Sequence, residues 1–185
     1  LDLGINNFNV KNIAQHGFLL KKYFSKIICL KIVLSLFYFS IILIFGYFFN
    51  FNLKLLLLLA FNQALAVFIL YVRSNLAGLH MFFQDSIISV LDRFLLIIIC
   101  SSLLWGGLTS TPFQIEWFVY AQTISYVISA VVALKMLYQK TDSLKITWDR
   151  IFSLAILKKS FPYALLILLM TIYYRLDVLM LELIK

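Results

Sequence analysis

Residues 27–49 read IICLKIVLSLFYFSIILIFGYFF, with Lys31 as the only charge. A helix needs about 20 mostly apolar residues to cross about 30 Å of hydrocarbon, and this stretch supplies them. It does not alternate in polarity, and it is about twice as long as a transmembrane β-strand, so a barrel is excluded. Lipid cannot satisfy open backbone groups, which leaves a helix.

Four further runs follow the same pattern. With the first, the spans are expected at 27–49, 55–72, 88–106, 115–135 and 160–185. The fifth is the least clean, because it carries Arg175, Asp177 and Glu182. Composition agrees with this reading. Of 185 residues, 63% are hydrophobic and only 13% charged, with a mean hydropathy of +0.98. Soluble domains are about 25% charged, and this chain could not cover a water-facing surface. The fold class expected is an all-α polytopic transmembrane bundle. A soluble enzyme, a disordered chain and a collagen-like fibre are excluded.

The net charge of +8 suggests topology rather than nucleic acid, because the basic residues sit between the apolar runs. Lys11, Lys21, Lys22, Lys26 and Lys31 lie before or at the start of the first span. Arg73 and Arg93 lie between the second and third. Lys135, Lys140, Lys145, Arg150, Lys158 and Lys159 lie between the fourth and fifth. Thirteen therefore fall on one side, against Lys54 and Lys185 on the other. The positive-inside rule makes the first side cytoplasmic, so residues 1–26 and 135–159 are expected inside. The outer connections are short. Within 135–159, Trp148, Ile151, Phe152, Ala155 and Ile156 repeat at helical spacing behind Thr147, a credible N-cap. An interfacial helix is expected over 148–157. The chain begins at Leu1 and stops in an apolar run, which predicts a piece of a longer protein.

Catalytic motifs are not found. The sequence has no Gly-rich phosphate loop, paired-His motif, CxxC or nucleophile elbow. His16 and His80 read as polar surface residues, and Cys29 and Cys100 as buried free thiols. No metal, cofactor or catalytic residue is expected, and the chain does not read as an enzyme.

The chemistry-bearing cluster is Tyr173-Tyr174-Arg175-Leu176-Asp177. Arg175 falls about 22 Å along a helix counted from Ser160, inside the hydrocarbon region. A charge at the bilayer centre costs about 2.5–3.5 kcal/mol on insertion scales, so such residues usually face a bundle interior or a wet cavity. Arg175 and Asp177 are about 200° apart around the helix and cannot share a face. Three readings are open for Arg175: a substrate or ion contact, a structural ion pair with another helix, or outward snorkelling. A second group, Asp85, Asp92 and Arg93, lies near the cytoplasmic mouth of the third span. It reads either as a solvated helix end or as a gate. Asn62 and Gln63 interrupt the second span, where interhelical hydrogen bonding is the default and cavity lining the alternative.

The segment Lys159-Ser160-Phe161-Pro162-Tyr163-Ala164, followed by Ile172 to Leu181, resembles the seventh helix of Wzx-type polysaccharide flippases. These belong to the multidrug/oligosaccharidyl-lipid/polysaccharide exporter superfamily. That signature is a Ser-x-Pro-Phe-type entry followed by a Tyr-x-Arg-x-Asp-x-x-x-Leu core. Here Phe161 precedes Pro162 and Tyr163 follows it, a small departure. Asp2-Leu3-Gly4-Ile5 resembles the end of that family's second helix, and Ser89 to Leu95 the start of its fifth.

The resemblance implies helices three to seven of a two-lobed transporter. Residues 1–134 would hold most of the first lobe, 135–159 the linker, and 160–185 the first helix of the second lobe. It implies flipping of an undecaprenyl-pyrophosphate-linked oligosaccharide, an O-antigen or capsule precursor, across a bacterial inner membrane. Arg175, Asp177, Tyr173 and Tyr174 would contact this substrate. The partners implied are the lipid-linked oligosaccharide, membrane lipids and polysaccharide assembly proteins, with no nucleic acid. The competing classes are a membrane-embedded polysaccharide polymerase or glycosyltransferase and a drug/cation antiporter of the same superfamily.

Overall fold

The structure is a computed structural model that describes residues 4–16, 19–49, 51–105, 115–139 and 150–183. These residues form six helices: α1 Ile5–Gln15, α2 Leu19–Phe48, α3 Leu53–Gly78, α4 Phe82–Trp105, α5 Ile115–Tyr138 and α6 Arg150–Leu183. No strand occurs among the described residues. Each helix from α2 to α6 contains a stretch long and apolar enough to cross a bilayer. The chain is therefore an all-α, multi-pass helix bundle, as the apolar runs require.

The helices outrun the spans read from hydropathy. Backbone hydrogen bonding continues wherever no breaker stops it, whereas hydropathy marks only the apolar centre. Thus α3 passes Val72 and continues through Arg73, Ser74 and Asn75 to Gly78. It ends in a Schellman turn, in which Met81 N–H donates to Leu76 O at 2.9 Å and His80 N–H to Ala77 O at 3.0 Å. The left-handed position that glycine usually fills is taken by His80, at φ 60°. This three-residue turn sends the chain directly into α4.

α6 shows the largest difference. A short interfacial helix and a separate span were expected, but one helix runs from Arg150 to Leu183. Residues 157–160 contain no breaker, and although Pro162 removes a backbone donor and crowds the carbonyl one turn before it, the helix continues through it. Ser153, Ile156 and Ser160 form one buried face, while Ile151 is 84% exposed. Thr147 and Trp148, the proposed start of the interfacial helix, lie outside the described residues.

The stretch before the first span also holds structure, because α1 is a helix packed against α3 and α6. Asn9 Nδ2 donates to Asn75 Oδ1 at 2.9 Å in a buried bond between α1 and α3. Asn75 Nδ2 donates in turn to Tyr71 O at 2.6 Å. Tyr71 stacks on Phe24 of α2, with ring centroids 5.5 Å apart, and donates its hydroxyl to Phe24 O at 3.1 Å. One polar chain thus ties α1, α3 and α2 together, each link removing a polar group that lipid could not satisfy.

The core lies at the end of the bundle where α1 sits. Ile5, Ile13, Phe24, Leu76, Ile88, Leu137 and Ile156 are buried together there. The far halves of α2, α4 and α6 present large apolar side chains outward. Lipid is as apolar as a leucine, so close approach rather than escape from water selects such contacts. Small residues sit where that approach occurs. α5 buries Ala121, Ser125, Ser129 and Ala133 along one face. A Cβ on Gly78 would meet Ile13 Cβ at 2.9 Å.

Candidate functional site

The tyrosine–arginine cluster rides on the half of α6 that no other described helix covers. Residues from Leu165 to Leu176 are all exposed. Their helix nevertheless holds its own polar groups. Thr171 Oγ1 donates to Ile167 O at 2.7 Å, one turn back, which hides the hydroxyl from an apolar surround. Tyr173 and Tyr174 are each 64% exposed, and their rings meet edge to face at 5.9 Å. Arg175 follows them, exposed, and makes no hydrogen bond or ion pair with any described residue. The Asp177 side chain lies outside the described residues.

Around α6, Tyr174 lies about 100° from Arg175, whereas Tyr173, two residues before Arg175, lies about 200° away on the other side of the helix. A guanidinium presents five donors in a planar fork that suits phosphate and carboxylate oxygens. The phenols can hydrogen-bond or stack. Such a surface suits a ligand that combines anionic oxygens with hydroxylated or ring-shaped groups.

The second group of candidates does not join the first. Asp85 stands in the first turn of α4 and pairs with Arg73 of α3, with Nε–Oδ1 at 2.6 Å. Both side chains are partly shielded, so the contact is less screened than a surface pair. It bridges consecutive helices across the turn at His80 and therefore clamps a hairpin. Asp92 instead turns to its neighbour. It accepts the Arg93 backbone N–H at 2.9 Å, and Arg93 Nε stands 3.7 Å from Asp92 Oδ2. Asp85, Asp92 and Arg93 thus sit in one hairpin pair and one local contact, and no described contact links them to Arg175.

Sequence reasoning did not single out Arg73 as the partner of Asp85. A signal existed, because the two positions flank Gly78-Leu79-His80 at comparable distances. A tight helical turn there brings them face to face. Gln122 and Tyr126 were also missed. They complete the polar group begun by Asn62, which donates to Val119 O at 3.2 Å and to Gln122 Oε1 at 3.4 Å. The interhelical bonding expected of Asn62 is therefore present. Nothing in α5's own sequence marks Gln122 as facing α3.

Among the described residues, no group of three His, Cys, Asp or Glu side chains comes together to hold a metal ion. Cys29 and Cys100 are free and half-buried. The class this architecture defines is a polytopic α-helical membrane protein. In comparisons with known proteins, no family model, curated protein or solved structure matches the chain.

Proposed function

We propose that the chain forms part of a membrane transporter that flips a lipid-linked oligosaccharide across a bacterial inner membrane by alternating access. The observation that carries this reading is Arg175, an exposed cation on the stretch of α6 that no described helix covers, without a described partner. A cation inside the hydrocarbon, where the count from Ser160 puts it, needs an anion or a wet cavity. An undecaprenyl-pyrophosphate headgroup supplies the anion, and its glycan suits the adjacent Tyr174. Lys- and Arg-rich connections support a cytoplasmic position for the α1 end of the bundle by the positive-inside rule. The lipid-linked substrate would then enter from the leaflet where it is made. The short connection between Phe48 and Leu53 supports transport over polymerisation, which calls for a larger outer domain.

The test is a substitution series in the full-length transporter. Glycan flipping is read in inverted vesicles alongside membrane abundance. Arg175→Lys keeps the charge and loses the fork, whereas Arg175→Gln loses both. A hydrogen bond to a charged group contributes about 1.5–3 kcal/mol, so Arg175→Gln should lower flipping about 10–100-fold, with Arg175→Lys in between. Abundance should stay near the parent level. An Arg175→Gln protein that flips normally refutes the substrate role. An abundance loss rescued by removing a second, acidic residue would make Arg175 a structural ion pair instead.

A further inference from the structure

A groove opens between α2, α3 and α5 in the half of the bundle away from α1. Its volume is about 360 Å³, within the range of about 300–1,000 Å³ typical of small-ligand sites. Its polar lining is Tyr38 from α2, Asn62 and Gln63 from α3, and Gln122 and Tyr126 from α5. Phe45 supplies an aromatic wall.

The hydrogen bonds in this lining run in one direction and stop short. Asn62 Nδ2 is used toward α5. Gln122 Nε2 donates to the Tyr126 hydroxyl at 3.2 Å, which leaves that hydroxyl's own proton to be donated elsewhere. Asn62 is only 2% exposed, yet its Oδ1 accepts nothing. Turning the amide over would set Oδ1 against Val119 O, so the orientation is fixed by that carbonyl. A buried acceptor left open costs about 1–3 kcal/mol. Gln63, exposed on the groove, adds a complete amide, and Tyr38 adds a phenol.

The chemistry of the occupant follows from this set. None of the six side chains is charged, so an ion entering the groove would lose its hydration without a counter-charge. A hydrocarbon would leave the Gln63 amide and the Tyr126 proton unsatisfied. A neutral ring carrying several hydroxyls both donates and accepts, and its apolar face can lie on Phe45 or Tyr38. We infer that this groove binds a single neutral sugar unit. The inference rests on the transport reading only for the source of that unit, the glycan of the lipid-linked substrate.

The test uses the full chain in lipid nanodiscs and saturation-transfer NMR, with methyl glycosides of glucose, galactose and N-acetylglucosamine as probes. At least one glycoside should receive saturation at its ring protons. Gln63→Leu should weaken that glycoside's binding about fivefold, the loss of one neutral hydrogen bond. Tyr126→Phe should act in the same direction, and Asn62→Leu more strongly. Gln63 makes no described bond between helices, so its variant remains informative if Asn62→Leu fails to fold. Arg175→Gln should leave glycoside binding unchanged. Glycoside binding that depends on Gln63 upholds the groove even if the full-length protein flips no glycan, in which case only the transport reading falls. No transfer to any of the three glycosides, or transfer indifferent to Gln63→Leu, overturns the inference and leaves the groove to water or to another helix.

Discussion

Replacing Gly4 by alanine should release α1 from the bundle. Gly4 precedes α1 at φ 71°, and its missing side chain is the space in which α6 sits. A Cβ there would lie 2.5 Å from Ala164 N, 2.8 Å from Ser160 O and 2.8 Å from Tyr163 C. Non-bonded carbon contacts rest at about 3.5–4.0 Å, so the two helices must part by roughly 1 Å. All three obstacles are backbone atoms, and no rotamer change relieves them. The left-handed conformation costs alanine about 1–2 kcal/mol, and overpacking adds about 1–3 kcal/mol. The sum is roughly 2–5 kcal/mol. For a chain of this size each kcal/mol lowers Tm by about 2–4 °C, so a loss on the order of 10 °C is expected. The assay heats the purified protein in detergent and measures the monodisperse fraction that survives. A paired readout is a cysteine crosslink between positions 8 and 163, whose rings lie 6.5 Å apart in the parent. It should form in the parent and fade in Gly4→Ala. Gly78→Ala makes the contrast. Its Cβ would meet the Ile13 side chain, and the gain in helix propensity of about 1 kcal/mol offsets part of the clash. A Gly4→Ala protein that melts within about 2 °C of the parent and keeps the crosslink refutes the close packing of α1 on α6.

Two further outcomes are expected. His80→Gly should raise stability by about 1–2 kcal/mol, because glycine holds the left-handed cap position without the Cβ penalty that histidine pays; thermal unfolding in detergent reads it, and an unchanged or lower Tm speaks against the Schellman turn. Arg73→Ala and Asp85→Ala should each destabilise the α3–α4 hairpin, and a double-mutant cycle should return a coupling of about 1 kcal/mol that shrinks in high salt; strict additivity would mean that the 2.6 Å pair carries no energy.

The sequence alone determined the class of fold. A run such as residues 27–49, with one charge, has no stable form in water, and in lipid it has only the helical one. The number of spans followed from counting such runs, because backbone satisfaction is a local requirement that each segment meets by itself. Helix ends were less legible. Past Val72 and before Ser160 the chain stays helical for reasons that hydropathy does not record: a buried Asn9–Asn75 bond in one case and the absence of any breaker in the other. What only the tertiary structure decided is which polar groups meet. Asp85 finds Arg73 because the turn at His80 folds α4 back on α3. Asn62 finds Gln122 because small residues let α5 approach α3. Sequence spacing fixes the face on which a side chain lies, but the neighbour it meets depends on how helices pack, and in an apolar solvent that choice rests on close fit and hydrogen bonds between distant segments. Arg175 is the opposite case: the sequence shows a charge set within an apolar run, and the fold leaves it exposed there without a described partner.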